Sequence, residues 1–540
     1  MQDLILTKLA DIGDLKVIAR TSTQGYGSHP QNLAQVGQQL GVATLLEGSV
    51  QKAGNEVLVN VQLIDAKTDA HIWAQSYQRT LDNVFGVEGE VATKVATALN
   101  AKLSPQAAAQ LATNLSGNHD ANDLYLRAEY FADRGHINSD TAQWKQALPL
   151  YRQAVGLAPD FALARARLSY VESELAWFGG GGEDVAQLNA DARTQAGQAL
   201  KLAPGLPEAQ LALGYCDYYG KGDYAAALRA FSAVLKLRPN DTDALAAQGY
   251  VQRRQGNFDA SVDSFKQSLA LDPRNTSLAF ELGSTYMMTS RYTEAEAAFH
   301  HALALDPANV RAKYLLSQTL LLANGDVPAA LAAAAGDDSQ LRQQQVALLT
   351  LQRKYHAALT LLDGIPDTPD NFNYTTSPKA LQQANLYWLL GDAARARTLY
   401  ERALPEARAQ MAAAGGVKIN EALVWGNIAD AEVGVGQTRE ALAAIAKSQA
   451  LVDATHDQSY GPQEMEWNAG LYASADRGNL AVPLLARALG SPGIGFNYSP
   501  VLLWLDPAWD PIRKTAAFQA LLKKYAKDKP AVIYPAAPTS

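Results

Sequence analysis

Few side chains in this sequence have the types and spacing that catalysis or metal binding requires. The eight histidines are scattered, and only His300 and His301 are adjacent, which places them on different sides of a helix. The single cysteine, Cys216, has no local base motif beside it, so a small packing residue is favoured over a nucleophile. There is no HExxH or CxxC pattern and no cluster of carboxylates. The sequence therefore predicts no catalytic residue, no metal site and no cofactor.

Three glycine-rich segments share only their composition with phosphate-binding loops. Gly179–Gly182 is not followed by Gly-Lys-Ser/Thr, and Gly434–Gly436 lacks both a third glycine and a preceding strand. The third segment, Ser491–Phe496, is predicted to be a linker. Because a phosphate site of this kind needs a strand, a loop and a helix together, the sequence predicts no nucleotide binding.

A period of 34 residues in the middle of the chain indicates stacked pairs of helices. Pro239, Pro273 and Pro307 follow one another at this interval, and Gly249 and Gly283 share it. This period is typical of tetratricopeptide (TPR) repeats, in which small residues let two helices approach and aromatic residues fill the gap. The predicted fold class is mainly α, a TPR-type α-solenoid in which helix pairs form a right-handed superhelix. Three repeats are clear, at Leu206–Asn240, Asp241–Arg274 and Asn275–Ala308.

The first hundred residues predict a different, α+β module with an antiparallel meander at its centre. Val57, Val59, Val61 and Leu63 recur at every second position and so share one face, which is the period of a half-buried strand. Short links of hairpin type precede and follow this strand. The predicted helices are Gln2–Ala10, Asn32–Leu40 and Asn83–Leu103, and the predicted strands are Lys16–Thr21, Thr44–Gln51, Glu56–Asp65 and Ala70–Gln78.

Changes in composition and periodicity give the expected domain boundaries. Near the end of the chain, large apolar side chains that include Trp504, Trp509 and Phe518 can cover the exposed face of the last helix pair. The final stretch is rich in proline and alanine, which favours disorder. The expected order is an α+β domain at 1–103, a linker at 104–119, helical repeats at 120–490, a capping segment at 491–527 and a disordered tail at 528–540.

The motifs of the first hundred residues resemble the TolB-amino-terminal-like domain of bacterial signalling proteins. The runs that carry the resemblance are DLKVIARTS, LLEGSVQKAGNEVLVNVQLIDAKTDAHIWAQSYQRTL and EVATKVATAL. In that family TPR repeats usually follow the domain, and a winged-helix, adenylate cyclase or Ser/Thr kinase output domain with one transmembrane helix often precedes it. The family's first strand is missing here, so the resemblance implies an unpaired sheet edge and the sensing half of a larger signalling system.

The remaining functional candidates lie on the first helix of each pair, which lines the concave face of such arrays. Tyrosine, arginine and methionine are enriched in interfaces, although the tyrosines could instead pack between repeats. Leu211, Ala246 and Phe280 stand where some TPR domains carry a carboxylate clamp, which argues against a receptor for chaperone tails. The residues expected to meet a protein or peptide partner are Tyr215, Tyr219, Tyr250, Arg253, Arg254, Phe280 and Met287.

Composition argues against several other classes of protein. The net charge of −8 is spread along the chain without a basic patch, so nucleic-acid binding is not expected. No stretch approaches 18 apolar residues, and the first residues lack the basic start and apolar core of a signal peptide. A cytoplasmic location is therefore expected, with a periplasmic one as the alternative if an upstream membrane helix tethers the chain.

Three hypotheses about function follow from the sequence. The first is a non-enzymatic scaffold or sensor module of a bacterial signalling or regulatory system, which binds a protein or peptide on the concave TPR face. The second is the non-catalytic C-terminal half of a larger adenylate cyclase, Ser/Thr kinase or transcriptional regulator. The third, a cell-envelope assembly factor, rests on the TolB name alone.

Overall fold

The chain divides into two compact units. Unit 1 comprises Met1–Val251 with Asp263–Leu278, and unit 2 comprises Gln252–Val262 with Ala279–Ser540. The computed structural model of the protein describes residues 2–26, 32–80, 87–101, 115–138, 140–178, 184–366, 377–412, 414, 417–526 and 529–534. The predicted fold class, a mainly α array of TPR-type helix pairs with a small N-terminal α+β domain, is confirmed. The exact domain boundaries stay predictions.

The N-terminal part of unit 1 contains an antiparallel sheet in the order β1-β2-β3, formed by Thr44–Ala53, Glu56–Asp65 and His71–Thr80. The alternating valines and leucine of β2 are buried, as their period predicts. Helices α1 (Gln2–Ala10) and α4 (Val87–Ala98) cover this face, and Ile5, Leu9 and Val91 pack in the same core. The predicted helix Asn83–Leu103 is seen as Val87–Ala98. Residues 81–86 lie outside the described part of the chain, and the helix ends in a turn at Leu99 and Asn100.

After the sheet module, successive helices from His119 onward pack on each other in pairs.

The helices are numbered here in chain order. The first are α1 Gln2–Ala10, α2 Arg20–Thr23, α3 Leu33–Leu40, α4 Val87–Ala98, α5 His119–Asn138, α6 Thr141–Leu157, α7 Ala162–Trp177, α8 Val185–Leu202, α9 Pro207–Tyr215 and α10 Tyr224–Leu237. Then follow α11 Thr242–Arg254, α12 Phe258–Leu271, α13 Thr276–Met288, α14 Tyr292–Leu305, α15 Val310–Asn324, α16 Val327–Ala333, α17 Ser339–Leu351 and α18 Tyr355–Asp363. The last are α19 Lys379–Leu389, α20 Ala393–Ala409, α21 Lys418–Gly434, α22 Thr438–Thr455, α23 Gly461–Ser474, α24 Gly478–Leu489, α25 Leu502–Leu505 and α26 Ala516–Tyr525. Among the residues that the structure describes, no helix is both long and apolar enough to cross a membrane.

Close contact between a glycine and a phenylalanine holds each clear repeat together. A Cβ atom at Gly249 would lie 2.9 Å from the ring of Phe265 in unit 1, and one at Gly283 would lie 2.7 Å from Phe299 in unit 2. Any side chain at these positions would separate the two helices, since interiors are close-packed. The repeat packing that the sequence predicts is therefore present.

A π-helical turn at Cys216–Lys221 interrupts the first clear repeat. Sixteen residues separate the glycine from the phenylalanine in the second and third repeats, but seventeen separate Gly214 from Phe231. The ring of Phe231 still lies against Gly214, so the same contact forms in spite of the extra residue. Because a π-turn accommodates one additional residue within a helix, it restores the register of the repeat.

The segment Lys16–Thr21 is not the strand that the sequence predicts. Its first residues have no regular structure, and α2 begins at Arg20. The amide of Ala19 donates a hydrogen bond of 2.9 Å to the carbonyl oxygen of Leu271, at the end of a repeat. The backbone of this segment therefore finds a partner on the helical array of unit 1 instead of a neighbouring strand.

Residues 11–26, which we call the N-terminal strap, follow the proline-bearing turns of two successive repeats. Gly13 lies against the ring of Pro239. The side-chain amide of Asn240 donates a hydrogen bond of 2.9 Å to the carbonyl oxygen of Leu15. The strap thus reaches the turn that ends the first clear repeat.

The strap then reaches the equivalent turn of the second repeat. The hydroxyls of Thr21 and Ser22 both donate to the carboxylate of Asp272, and Ser22 is fully buried. The backbone amide of Arg274 donates to the Ser22 hydroxyl at 2.8 Å, and its guanidinium lies 5.4 Å from the ring of Tyr26. Buried donors and acceptors are therefore paired between the strap and the repeats.

In unit 2 the C-terminal segment packs on the turns within helix pairs. Ser499 donates a hydrogen bond of 2.7 Å to the carbonyl oxygen of Leu322, and Arg353 forms an ion pair of 3.0 Å with Asp510. Pro530 is buried against Gly325. The disorder expected for 528–540 stays a prediction, and residues 527–528 and 535–540 lie outside the described part of the chain.

Candidate partner-binding surface

The seven predicted contact residues are distributed over both units. Four of them, Tyr215, Arg253, Arg254 and Met287, are buried. The other three are half-buried and keep part of their rings accessible to solvent: Tyr219 and Tyr250 in unit 1, and Phe280 in unit 2. The structure therefore leaves three of the seven as candidates for direct contact.

The buried arginines bind within unit 2 rather than facing solvent. Arg253 forms an ion pair of 2.8 Å with Glu281. Arg254 forms an ion pair of 2.6 Å with Asp457. Because both guanidinium groups are desolvated and neutralised inside the unit, the interpretation of these residues as exposed contacts does not hold. Met287 is fully buried, so the same correction applies to it.

In unit 1 a stack of aromatic rings surrounds Tyr219. The ring of Trp177, at the end of α7, lies 4.6 Å from that of Tyr219 with an angle of 19° between the planes. Tyr218 stacks on the same two rings, at 4.7 Å from Tyr219 and 5.8 Å from Trp177. Both tyrosines belong to the π-helical turn, so the extra residue of this repeat places two adjacent rings against one tryptophan.

A buried carboxyl lies beside these rings. Glu174, one turn before the end of α7, is buried, and this burial raises its pKa to about 7 against the lowering effect of His136. His136 Nδ1 lies 2.6 Å from the Tyr170 hydroxyl, which also bonds to Glu174. Burial, followed by the charge of Glu174, raises the pKa of Tyr219 well above its usual value. Around neutral pH the carboxyl is therefore poised between its neutral and charged forms.

The two other half-buried rings each pack on the second helix of their repeat. Tyr250 meets Phe265 edge to face at 5.3 Å in unit 1. Phe280 meets Phe299 at 6.3 Å in unit 2, and the guanidinium of Arg311 lies 4.0 Å from the centre of the Phe280 ring. Packing within the repeat thus buries one side of each ring and leaves the other side accessible to a partner.

Sequence reasoning missed Trp177 and Glu174, although both lie on the first helix of a pair. The one available signal was a tryptophan two positions before the glycine-rich run, and residues 179–183 lie outside the described part of the chain. The turn Asp457–Tyr460, which pairs with Arg254, was also missed. Nothing in the sequence connects positions so far apart.

Cys216 is packed in the core of unit 1. Its sulfur lies 3.5 Å from the Ser169 hydroxyl and 3.6 Å from that of Ser173, and burial raises the pKa of the thiol. A buried thiol with a raised pKa is a poor nucleophile, as the packing interpretation expects. Among the described residues, no group of three or more His, Cys, Asp or Glu side chains could hold a metal ion.

Residues 216–276 and 280–338 match the sequence model of the tetratricopeptide repeat family. These two stretches are tetratricopeptide repeats. A curated relative from Rhizobium meliloti (strain 1021), named "Putative adenylate cyclase 3", is 30% identical over 167 residues, which are 31% of this chain and 28% of the relative. This chain thus spans little more than a quarter of the relative's length.

Two solved structures resemble parts of the array. A thermophilic TPR protein from Thermus thermophilus is 20% identical, with a TM-score of 0.31, and covers 36% of this chain and 100% of its own. PilW, a type IV pilus biogenesis factor, is 20% identical, with a TM-score of 0.32, and covers 45% of this chain and 98% of its own. At these TM-scores neither structure indicates what this chain binds.

Proposed function

We propose that this chain is a non-enzymatic protein-interaction module of a bacterial signalling or regulatory system. TPR proteins mediate interactions between proteins, and two stretches of this chain are TPR repeats. In this proposal unit 1 captures a protein or peptide through the accessible sides of Tyr219 and Tyr250, and Phe280 is a separate candidate contact on unit 2. The repeats supply rigid helices, and the chain itself performs no chemistry on its partner.

The observation that carries the proposal is the aromatic surface of unit 1. Trp177 and Tyr219 are half-buried and stacked, so their rings are already ordered before a partner arrives. Rigid aromatic side chains bury a large area at a low cost in conformational entropy, which is why they dominate binding energies at interfaces. Glu174 beside them adds attraction for a cation when it is ionised. We therefore propose a partner segment with an aromatic or basic anchor.

The N-terminal module supports the signalling part of the proposal. Two of the three runs that carry the TolB-amino-terminal-like resemblance lie on the meander and on α4, whereas the run DLKVIARTS forms no strand. We propose that residues 1–103 are a domain of this kind and that the strap couples it to the repeats of unit 1. Buried hydrogen bonds such as the one between Ser22 and Asp272 would transmit a conformational change between the N-terminal domain and the repeats of unit 1.

A capture experiment with a matched control tests the proposal. The full chain, the double variant Tyr219→Ala/Tyr250→Ala and the control Tyr130→Ala are immobilised, and bound proteins from native cell extract are quantified by mass spectrometry. Tyr130 is a suitable control because its side chain is exposed elsewhere on unit 1. We expect one set of proteins that the wild type and the control retain and the double variant loses, although circular dichroism shows that the double variant is folded at the temperature of the assay. Equal capture by all three proteins would overturn the proposal.

The Rhizobium relative favours a second candidate function, the regulation of an adenylate cyclase. In this case the array acts on a cyclase catalytic domain, and the purified chain alone makes no cyclic AMP from ATP. A chromosomal Tyr219→Ala variant in the native bacterium would then change the cellular cyclic AMP level. If the level is unchanged while partner capture is lost, the general interaction role stands and the cyclase role does not.

A further inference from the structure

The last turn of α11 is covered by a turn from much later in unit 2, residues Asp457–Tyr460. Asp457 pairs with Arg254 at 2.6 Å, and less than a tenth of either side chain is exposed. The guanidinium carbon also lies over the Tyr460 ring, 4.4 Å from the ring centre. Arg254 is therefore held by a carboxylate and an aromatic face, the two groups that recognise a guanidinium best.

The same turn also binds the backbone of α11. The amide of Gln458 donates to the carbonyl oxygen of Arg254 at 3.2 Å. The hydroxyl of Ser459 donates to the carbonyl oxygen of Arg253, also at 3.2 Å. The last carbonyl groups of an α-helix have no donor within the helix. The amide of Gln458 supplies one for Arg254, and the Ser459 hydroxyl adds a second donor to the Arg253 oxygen, which also accepts from the amide of Gly256 at 3.0 Å. Side-chain and backbone recognition thus meet at one helix end.

Local bonds hold the turn in shape. The Asp457 carboxylate accepts hydrogen bonds from the amides of Ser459, at 2.7 Å, and Tyr460, at 3.1 Å. His456, just before it, has the left-handed φ of +51°. These interactions come from residues within the turn, so a short peptide with the same residues can form them without the rest of the protein.

A buried ion pair is a poor way to add stability. Removing two charges from water costs about as much as their attraction returns, and apolar residues of similar size often stabilise a site more. Paired charges do discriminate strongly between partners, because a partner without the carboxylate leaves the arginine buried and unpaired. The pair of Arg254 and Asp457 thus has the chemistry of a recognition site.

We infer that the end of α11 is an acceptor site for an acidic–aromatic turn, which this chain fills with its own Asp457–Tyr460. A partner segment with an aspartate three residues before an aromatic residue, and a free amide between them, would compete for Arg254. The inference rests on the proposed function, because it states the chemistry of one partner that the module would bind. While the turn Asp457–Tyr460 occupies the end of α11, the apparent affinity of the site for that partner is lowered.

The test uses a fluorescent peptide with the sequence of residues 454–462, ATHDQSYGP. Its binding by anisotropy is compared for the full-length wild type, for Asp457→Ala/Tyr460→Ala, and for the same double variant with Arg254→Gln. Circular dichroism confirms that each variant is folded. Because the apparent affinity scales with the fraction of molecules whose site is open, we expect the double variant to bind about tenfold more tightly or better. The added Arg254→Gln should abolish this gain, and a peptide with Asp457→Asn should not bind.

A second measurement on the wild type keeps the inference testable if the double variant does not fold. Excess peptide should accelerate hydrogen exchange at the amides of Gln458 and Ser459, because it displaces the turn. Unchanged exchange, or a folded double variant that binds the peptide no better than the wild type, would overturn the inference. If capture through Tyr219 and Tyr250 persists in that case, the proposed function remains and only the acceptor site is lost.

Discussion

The guanidinium of Arg254 and the carboxylate of Asp457 form an ion pair of 2.6 Å between residues 203 positions apart in the chain. Residue type and repeat position predict that Arg254 meets a partner. It does so, but the partner is a turn of the same unit. The position of a residue within a repeat thus indicates that its side chain binds another segment. It does not indicate whether that segment belongs to another molecule or to the same chain.

Substitution of Arg254 by alanine should destabilise the protein strongly. The change leaves Asp457 buried without its counter-charge, and loss of one member of a buried pair costs about 3–5 kcal/mol. Arg395→Ala is the matched control, since its side chain is 70% exposed and its ion pair with Asp392 lies at the surface. An exposed pair contributes roughly 0–1 kcal/mol. Urea unfolding of both variants gives the comparison, and equal midpoints would contradict the assignment of Arg254 to a buried pair.

Glu464 should make unit 2 sensitive to alkaline pH. The side chain is buried on α23, one of its carboxylate oxygens has no hydrogen-bond partner among the described residues, and burial raises its pKa from 4.5 to about 8. Since the pKa in the folded state exceeds that in the unfolded state, this contribution to stability is fully present below pH 4.5. It is lost as the pH rises through about 8.

Glu464→Gln removes this titration, because an amide carries no proton to lose. The drop in melting temperature between pH 5 and pH 9 should be smaller in this variant than in the wild type by about 4 °C or more. Glu401→Gln changes an exposed side chain and should follow the wild type. Identical pH profiles for the wild type and Glu464→Gln would show that this carboxyl does not titrate in the folded protein.

Deletion of Gly220 should be tolerated better than an equivalent deletion in the next repeat. It removes the extra residue of the π-helical turn and restores the spacing that Gly249 and Phe265 have. Deletion of Gln255 instead shortens that spacing and moves the ring of Phe265 away from Gly249. Thermal unfolding followed by circular dichroism should show the larger loss for the Gln255 deletion. The reverse order would contradict the role assigned to the π-turn.

Asp272→Ala should release the N-terminal strap. The hydroxyls of Thr21 and Ser22 lose their acceptor, so the amide of Ala19 should exchange hydrogen faster. Asp306→Ala is the matched control, because Asp306 has the same place in the next repeat and is exposed. Hydrogen exchange followed by mass spectrometry measures both. Equal protection of the strap in the two variants would mean that Asp272 does not hold it.

Local interactions explain which elements the sequence predicts well. The contacts of Gly249 with Phe265 and of Gly283 with Phe299 join residues of one helix pair, so their spacing alone reveals the fold. The alternating valines of β2 likewise record which face of the sheet is buried. The strand predicted at Lys16–Thr21 was wrong because its backbone partner, Leu271, belongs to a distant repeat.

The candidate site was predicted only in part, because contacts between distant segments leave no local pattern in the sequence. Tyr219 and Tyr250 follow from the repeat frame, and the structure leaves both half-exposed. Trp177 lies in a helix pair outside the clear 34-residue period, so that frame could not include it. Arg254 has the expected residue type, but its ligand lies far along the chain and no local pattern marks it.

The central claim is that the aromatic surface of unit 1, next to which Tyr250 lies, binds a protein. Site-specific photo-crosslinking is its most direct test. A benzophenone amino acid replaces Tyr250 in one variant and the exposed Tyr130 in the other, and both are irradiated in living native cells. The account predicts a discrete crosslinked partner from position 250 that is absent from position 130. No adduct at position 250, or the same adducts at both positions, would contradict it.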